Sequence, residues 1–96
     1  MKIILRPHLK IRLKERNIPS DYPSKVVSKP EEKYLDTITN HKIDVKRLEY
    51  NGKVRPMVLS YDIMGEDIQI ITIYPTTEQE IKNRFSKGRW IKDEKN

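Results

Sequence analysis

His8, Arg12 and Arg16 stand at i, i+4 and i+8 in the stretch RPHLKIRLKER, residues 6–16. A helix advances about 100° per residue, so three groups at this spacing drift only slowly around one face. Planar guanidinium groups grip phosphate oxygens in pairs. A neutral imidazole beside them is suited to moving a proton near neutral pH. His8 falls in the first turn, where the helix dipole and the arginines disfavour imidazolium and the free N–H groups attract a phosphate. The same residues also fit an amphipathic helix with a solvated basic face and a histidine that packs.

Further candidates lie downstream. Tyr74 ends an apolar strand at a Pro-Thr-Thr turn, where its phenol reaches a cleft or the rim of the core. Arg84 on the last helix offers a phosphate contact or pairs with Glu80, four residues earlier. Lys10, Lys46, Arg47 and Arg55 extend a basic track or are simply solvated. Trp90 with Arg89 stacks on a base or covers a core edge. His41 sits in a polar turn and reads as bystander surface.

Absences narrow the chemistry. Gly52, Gly65 and Gly88 are far apart, so no phosphate-cradling glycine loop exists. There is no cysteine, and the two histidines lie far apart with no carboxylate at metal-site spacing. The expectation is therefore chemistry with neither metal nor cofactor. RNA cleavage meets that condition, because the 2′-OH supplies the nucleophile and the protein adds only a base, an acid and cations.

The positioning elements follow from pattern. KIIL, residues 2–5, reads as a short strand. A helix from Pro7 to Arg16 turns Leu9, Ile11 and Leu13 inward, and Asn17 takes the left-handed conformation that ends it. A second short helix is expected over 20–28, with Tyr22, Val26 and Val27 inward. Strands are expected at 34–39, 42–50, 54–63 and 67–74, with a hairpin at Asn51-Gly52. Thr77 and Glu80 have capping-box spacing at the start of a last helix that Gly88 stops. The fold class expected is α+β: two N-terminal helices on a four- to five-stranded, mainly antiparallel sheet, plus a C-terminal helix, with the helices on one face. One domain covers 1–91, and a frayed charged tail covers 92–96.

Charge placement points to a polyanionic partner. Of 96 residues, 35% are apolar and 35% charged. Residues 1–30 hold eight Lys/Arg against two Asp/Glu, which is the whole +6 net charge; residues 31–96 hold twelve of each. The apolar run at the start is too short for a signal peptide and no stretch is long enough to cross a bilayer, so the expected location is the cytoplasm and no membrane partner is expected.

HLKIRLKERNIP resembles the His-x-x-x-Arg-x-x-x-Arg-Gly-Ile opening of a widespread group of small bacterial proteins catalogued as a domain of unknown function. DIQIITIYPTTEQEIKNR resembles that group's closing pattern, a strand ending in Val-Tyr-Pro before a helix with an arginine. The resemblance spans residues 3–84. Asn17 stands where the group has Gly, and Leu9 replaces a common small residue. The group is similar in element order to the RelE and BrnT ribonuclease toxins of toxin–antitoxin operons. That resemblance implies a RelE-like fold and metal-independent cleavage of RNA, free or ribosome-bound. It carries His8, Arg12, Arg16 and Tyr74 over as catalytic positions, with Arg84 behind them, and implies an acidic antitoxin as partner. The alternative is a non-catalytic RNA-binding or protein-binding module using the same basic face.

Overall fold

The computed structural model describes residues 2–93. The elements run β1 (Ile3–Leu5), α1 (Pro7–Glu15), α2 (Tyr22–Ser28), β2 (Glu32–Asp36), β3 (Lys42–Tyr50), β4 (Lys53–Met64), β5 (Asp67–Pro75), α3 (Glu78–Ser86) and β6 (Trp90–Lys92). The protein is α+β. Its six-stranded sheet has the order β1-β5-β4-β3-β2-β6. β1 runs parallel to β5, and every other pairing is antiparallel.

Local chemistry sets the helix ends. Pro7 occupies the first turn of α1, where its missing N–H needs no partner. Asn17 closes the helix at φ 56°. Ile18 N–H then donates to Leu13 O at 2.9 Å and Asn17 N–H to Lys14 O at 3.2 Å. These two bonds form a Schellman motif, with Ile18 and Leu13 both buried beside it. At α3, Thr77 Oγ1 accepts from Glu80 N–H at 3.1 Å, and Gly88 ends the helix at φ 78°.

Strand β4 explains why the sheet is covered on both sides. Its Met57, Leu59 and Tyr61 pack with Leu9, Leu13, Ile18, Tyr22 and Val26 of the α1/α2 layer. Val58, pointing the other way, packs with Tyr34, Ile43, Val45, Ile81 and Trp90 of the α3 layer. The expectation that all helices share one face is thus corrected: α3 lies opposite α1 and α2, because β4 is apolar on both faces. Ile11 is a second correction. It is two residues from both Leu9 and Leu13, hence about 200° from one and on the far side of the helix; it is 59% exposed.

The sixth strand is a third correction, since only four or five were expected. Trp90–Lys92 pairs with β2, with Asp36 opposite Trp90 and Tyr34 opposite Lys92. Thr37 anchors the segment: its N–H and Oγ1 both donate to Arg89 O, at 2.8 and 3.0 Å. Trp90, only 2% exposed, stacks at 5.4 Å on Tyr34. Lys92, expected to begin a frayed tail, is therefore a strand residue, while 94–96 of that tail lie outside the described residues.

Strand β5 contains the feature that most affects the site. Ser60 pairs with Thr72 but Tyr61 pairs with Ile70, so Ile71 is an extra residue on β5. Ile68 and Ile70 face α1. Without the bulge, strict alternation puts Thr72 and Tyr74 on that same face. With it, Ile73 joins the α1-side core, and Thr72 and Tyr74 turn to the α3 side. The near-continuous apolar run Ile68–Ile73 is therefore two half-strands of opposite phase, joined at Ile71.

Candidate functional site

The residues picked out by spacing divide between the two faces. His8, Lys10, Arg12 and Arg16 are all exposed on α1. Among the described residues their side chains make no hydrogen bond or ion pair; Arg16 contributes only its carbonyl, which accepts from Tyr50 O–H at 2.6 Å. Lys46 and Arg55 lie in register with Met57 and Leu48, which puts them on the α1/α2 side. Lys46 Nζ donates to Lys29 O at 2.9 Å. Arg55 is half-buried, and its Nε has no partner. Tyr74 and Arg84 are on the opposite, α3 side. The expected single pocket holding His8, Arg12, Arg16, Tyr74 and Arg84 is therefore corrected: the sheet separates the α1 set from the other two.

Arg47 leaves the basic track altogether. Its Nε and Nη2 donate to the two carboxylate oxygens of Glu78 at 3.0 and 2.5 Å, and its Nη1 donates to Glu32 at 2.7 Å. The guanidinium thus straps the first turn of α3 to β2 and β3.

Tyr74 and Arg84 meet in a pocket that composition alone does not announce. A cavity of about 340 Å³ on the α3 side is lined by Asp36, Thr39, His41, Ser60, Thr72, Tyr74, Arg84, Arg89 and Trp90, with Ile43 and Ile71 supplying apolar walls. A second cavity, about 380 Å³, is lined by Ile38, Glu80, Asn83, Arg84, Lys87 and Arg89. Arg84 and Arg89 line both, so two cations stand at the junction of adjoining hollows.

Each member is held differently. Arg89 Nε donates to Asp36 Oδ1 at 2.8 Å, and the same oxygen accepts from Ile38 and Thr39 N–H at 2.9 and 3.1 Å. Burial pushes the Asp36 carboxyl up, but Arg89 and the two N–H groups outweigh it and bring the pKa down to about 2. Arg84 makes no ion pair among the described residues; its guanidinium lies 5.4 Å from the Trp90 ring. Trp90 Nε1 is buried without an acceptor. Burial raises the Tyr74 phenol above its ordinary value, against the pull of Arg84. It therefore stays protonated at neutral pH and serves as a donor.

His41 is the residue that sequence reasoning passed over. Its Nδ1 lies 2.7 Å from Asp62 Oδ1, and the ring is only partly exposed at the pocket edge. No spacing in the sequence signals this, because Asp62 lies 21 residues later and meets His41 only in the folded sheet. Of the two readings of Trp90, the structure takes the second: it is buried against Tyr34 and covers a core edge.

A different carboxylate marks the other side of the sheet. Asp44 is fully buried, its Oδ1 taking Lys33 Nζ and Tyr61 O–H, both at 3.1 Å, while Oδ2 has no partner. Burial pushes this carboxyl up despite Lys33. For Lys33, burial pulls down but the Asp44 carboxylate prevails and the ammonium is favoured. The cluster ties β2, β3 and β4 together.

Among the described residues no group of three or more His, Asp or Glu side chains is placed to hold a metal ion. No helix of the described residues is long and apolar enough to cross a membrane. The chain matches no family model, no curated protein and no solved structure.

Proposed function

We propose that the protein is a toxin-like, metal-independent ribonuclease of RelE-like design that engages a single RNA strand on the α3 side of its sheet. One observation carries this reading: Arg84 and Arg89 sit where two hollows adjoin, the position a phosphodiester takes between two nucleotides. Guanidinium groups are the natural partners of a phosphate. Tyr74, held protonated, adds a neutral donor. An acidic antitoxin, by this reading, silences the protein by filling the same groove. The cytoplasm, where RNA is the abundant polyanion, is the matching location.

The test is incubation with single-stranded RNA in excess chelator. Wild type yields fragments ending in a 2′,3′-cyclic phosphate. Arg84→Ala binds that RNA more weakly, and the wild-type affinity falls steeply with salt. Intact RNA at full occupancy sinks the ribonuclease reading. It leaves the second reading, a binding module without chemistry, which the exposed and unpaired cations of α1 favour.

A further inference from the structure

We infer that His41 and Asp62 form the proton-transfer pair of the α3-side groove, a catalytic site that neither the basic helix nor the closing Tyr-Pro motif indicates. This rests on the ribonuclease reading above and assigns the group that does its chemistry. The geometry is specific. Asp62 Oδ1 lies 2.7 Å from His41 Nδ1, which fixes the tautomer with hydrogen on Nδ1 and leaves the Nε2 lone pair free. His41 lines the cavity that also holds Tyr74, Arg84 and Arg89. His8, the other histidine, is exposed on the far side of the sheet.

Local structure supports the pair. Asp62 pairs in register with Gln69 of β5, next to β1, on the α3 side of β4. In the amide orientation that satisfies both groups, the Gln69 side-chain oxygen accepts from Arg6 at 2.8 Å, so Arg6 is held beside Asp62. The His41 backbone is held too: its carbonyl accepts from Asp36 N–H at 3.0 Å and its N–H donates to Thr39 Oγ1 at 3.2 Å. Asp36 thus positions both His41 and Arg89, one through the backbone and one through the carboxylate. Asp62 from β4 meets the ring, and Asp36 from β2, Tyr74 from β5, Arg84 from α3 and Arg89 at the start of β6 line the same cavity.

The step balances without a metal or co-reactant. His41 Nε2 takes the proton of the ribose 2′-OH. The oxygen forms a bond to phosphorus while the bond from phosphorus to the 5′-oxygen breaks. Tyr74 gives its phenolic proton to that leaving oxygen. The products are a 2′,3′-cyclic phosphate and a 5′-hydroxyl. The proton on His41 returns through water to the Tyr74 phenolate, and Asp62 stabilises the imidazolium while it exists. Asp62 is a positioning residue; His41 and Tyr74 touch the reacting atoms.

The experiment uses full-length protein and a short single-stranded RNA under single-turnover conditions, with binding measured separately. His41→Ala is expected to bind RNA as wild type does and to cleave at least 100-fold more slowly, with partial recovery in added imidazole. Asp62→Asn is expected to lose about 100-fold or more in the single-turnover rate while RNA affinity stays at the wild-type value, because the His41 ring is then no longer held in the Nδ1–H tautomer. His41 and Asp62 are partly exposed, so both variants keep the core; their melting curves check this. Should either fail to fold, the His41 titration in wild type followed by NMR, with and without bound RNA, reads Nδ1 protonation directly, and a ring protonated on Nε2 in the neutral form overturns the pair. Equal cleavage by wild type and His41→Ala overturns the pair and leaves the ribonuclease reading standing. Absence of cleavage by wild type removes both.

Discussion

On one side of the sheet, α1 and α2 roof β5, β4 and β3, and Leu9, Leu13 and Val26 fill the space beneath them. On the other side, among the described residues, α3 is the one helix, nine residues long. Ile81 and Trp90 seal its half of the sheet, and the rest, floored by Ser60, Thr72 and Tyr74, stays open. On the first side the cations of α1 lie on the outer surface of a helix, and a hollow of about 320 Å³ runs along α2, lined by Asp21, Lys25, Lys29 and Lys46. The second side sets Arg84 and Arg89 in a hollow that also holds His41 and Tyr74. Charge density and site formation are therefore separate properties here.

The comparison breaks most completely at Ile73, which the bulge turns into the roofed core. Ile73→Asp buries an unpaired carboxylate in the cluster that holds Leu9 and Leu13. We expect a loss of about 4 kcal/mol or more in denaturant unfolding. Thr72→Asp, one residue away on the open face, is expected to cost far less. Equal losses in the two variants would show that the bulge does not assign the faces.

Asp36 comes next, because it serves the open side alone. Asp36→Ala frees Arg89, Ile38 N–H and Thr39 N–H at once. A loss of about 2–3 kcal/mol is expected, with a larger fall in RNA affinity than in stability rank. The pH dependence has a definite sign. The folded pKa near 2 lies below the usual 3.8, so the unfolded chain binds more protons between those values. The contribution is fully present above about pH 4 and disappears as pH falls toward 2; in Asp36→Ala that acid limb is flatter. Thermal melts across pH 2–5 measure it.

Asp44, on the roofed side, has the opposite sign and a smaller effect. Burial raises its carboxyl, so the folded state holds the proton more tightly than the unfolded chain. Stability from this group is greatest below its ordinary value and declines as pH rises through the raised one. Asp44→Asn removes that decline and keeps an acceptor for Lys33 and Tyr61. A change within about 1.5 kcal/mol at neutral pH is expected, with the sign of the slope as the diagnostic. If Asp36→Ala and Asp44→Asn shift the acid limb in the same direction, the two sides do not differ electrostatically in the way described.

Periodicity, turn residues and caps made much of the fold legible. Asn51-Gly52, the Thr77 cap and Gly88 each report a local event, and each is where the pattern places it. The α+β class follows from their order. The site was less legible because its members come from separate segments: His41, Asp62, Tyr74, Arg84 and Arg89 share no spacing. Only the bulge at Ile71 brings Tyr74 to the same side as Arg84, and a run of isoleucines hides its phase. His8, Arg12 and Arg16 do share a spacing, and it describes a helix surface. The sixth strand was hidden for a related reason. Three residues after a glycine carry no alternation long enough to read, and Trp90 is fixed by a tertiary contact with Tyr34.

The smallest expected effect bears most directly on whether the two sides act together. Arg12 and Arg16 are exposed and make no side-chain bond among the described residues, so Arg12→Gln with Arg16→Gln should change stability by less than about 0.5 kcal/mol. If the α1 surface plays no part in RNA engagement, the double variant also keeps the wild-type salt dependence of binding. If a longer RNA wraps the sheet edge to reach α1, the slope of log affinity against log salt falls by about 1.4, roughly 0.7 per lost contact to a single strand, while a dinucleotide-length RNA is cleaved as before. Running both lengths against the same variant separates a groove that works alone from a groove fed by a basic helix. In the second case the charge concentrated in residues 6–16 acts as an entry surface for the strand, and the chemistry stays with His41 across the sheet.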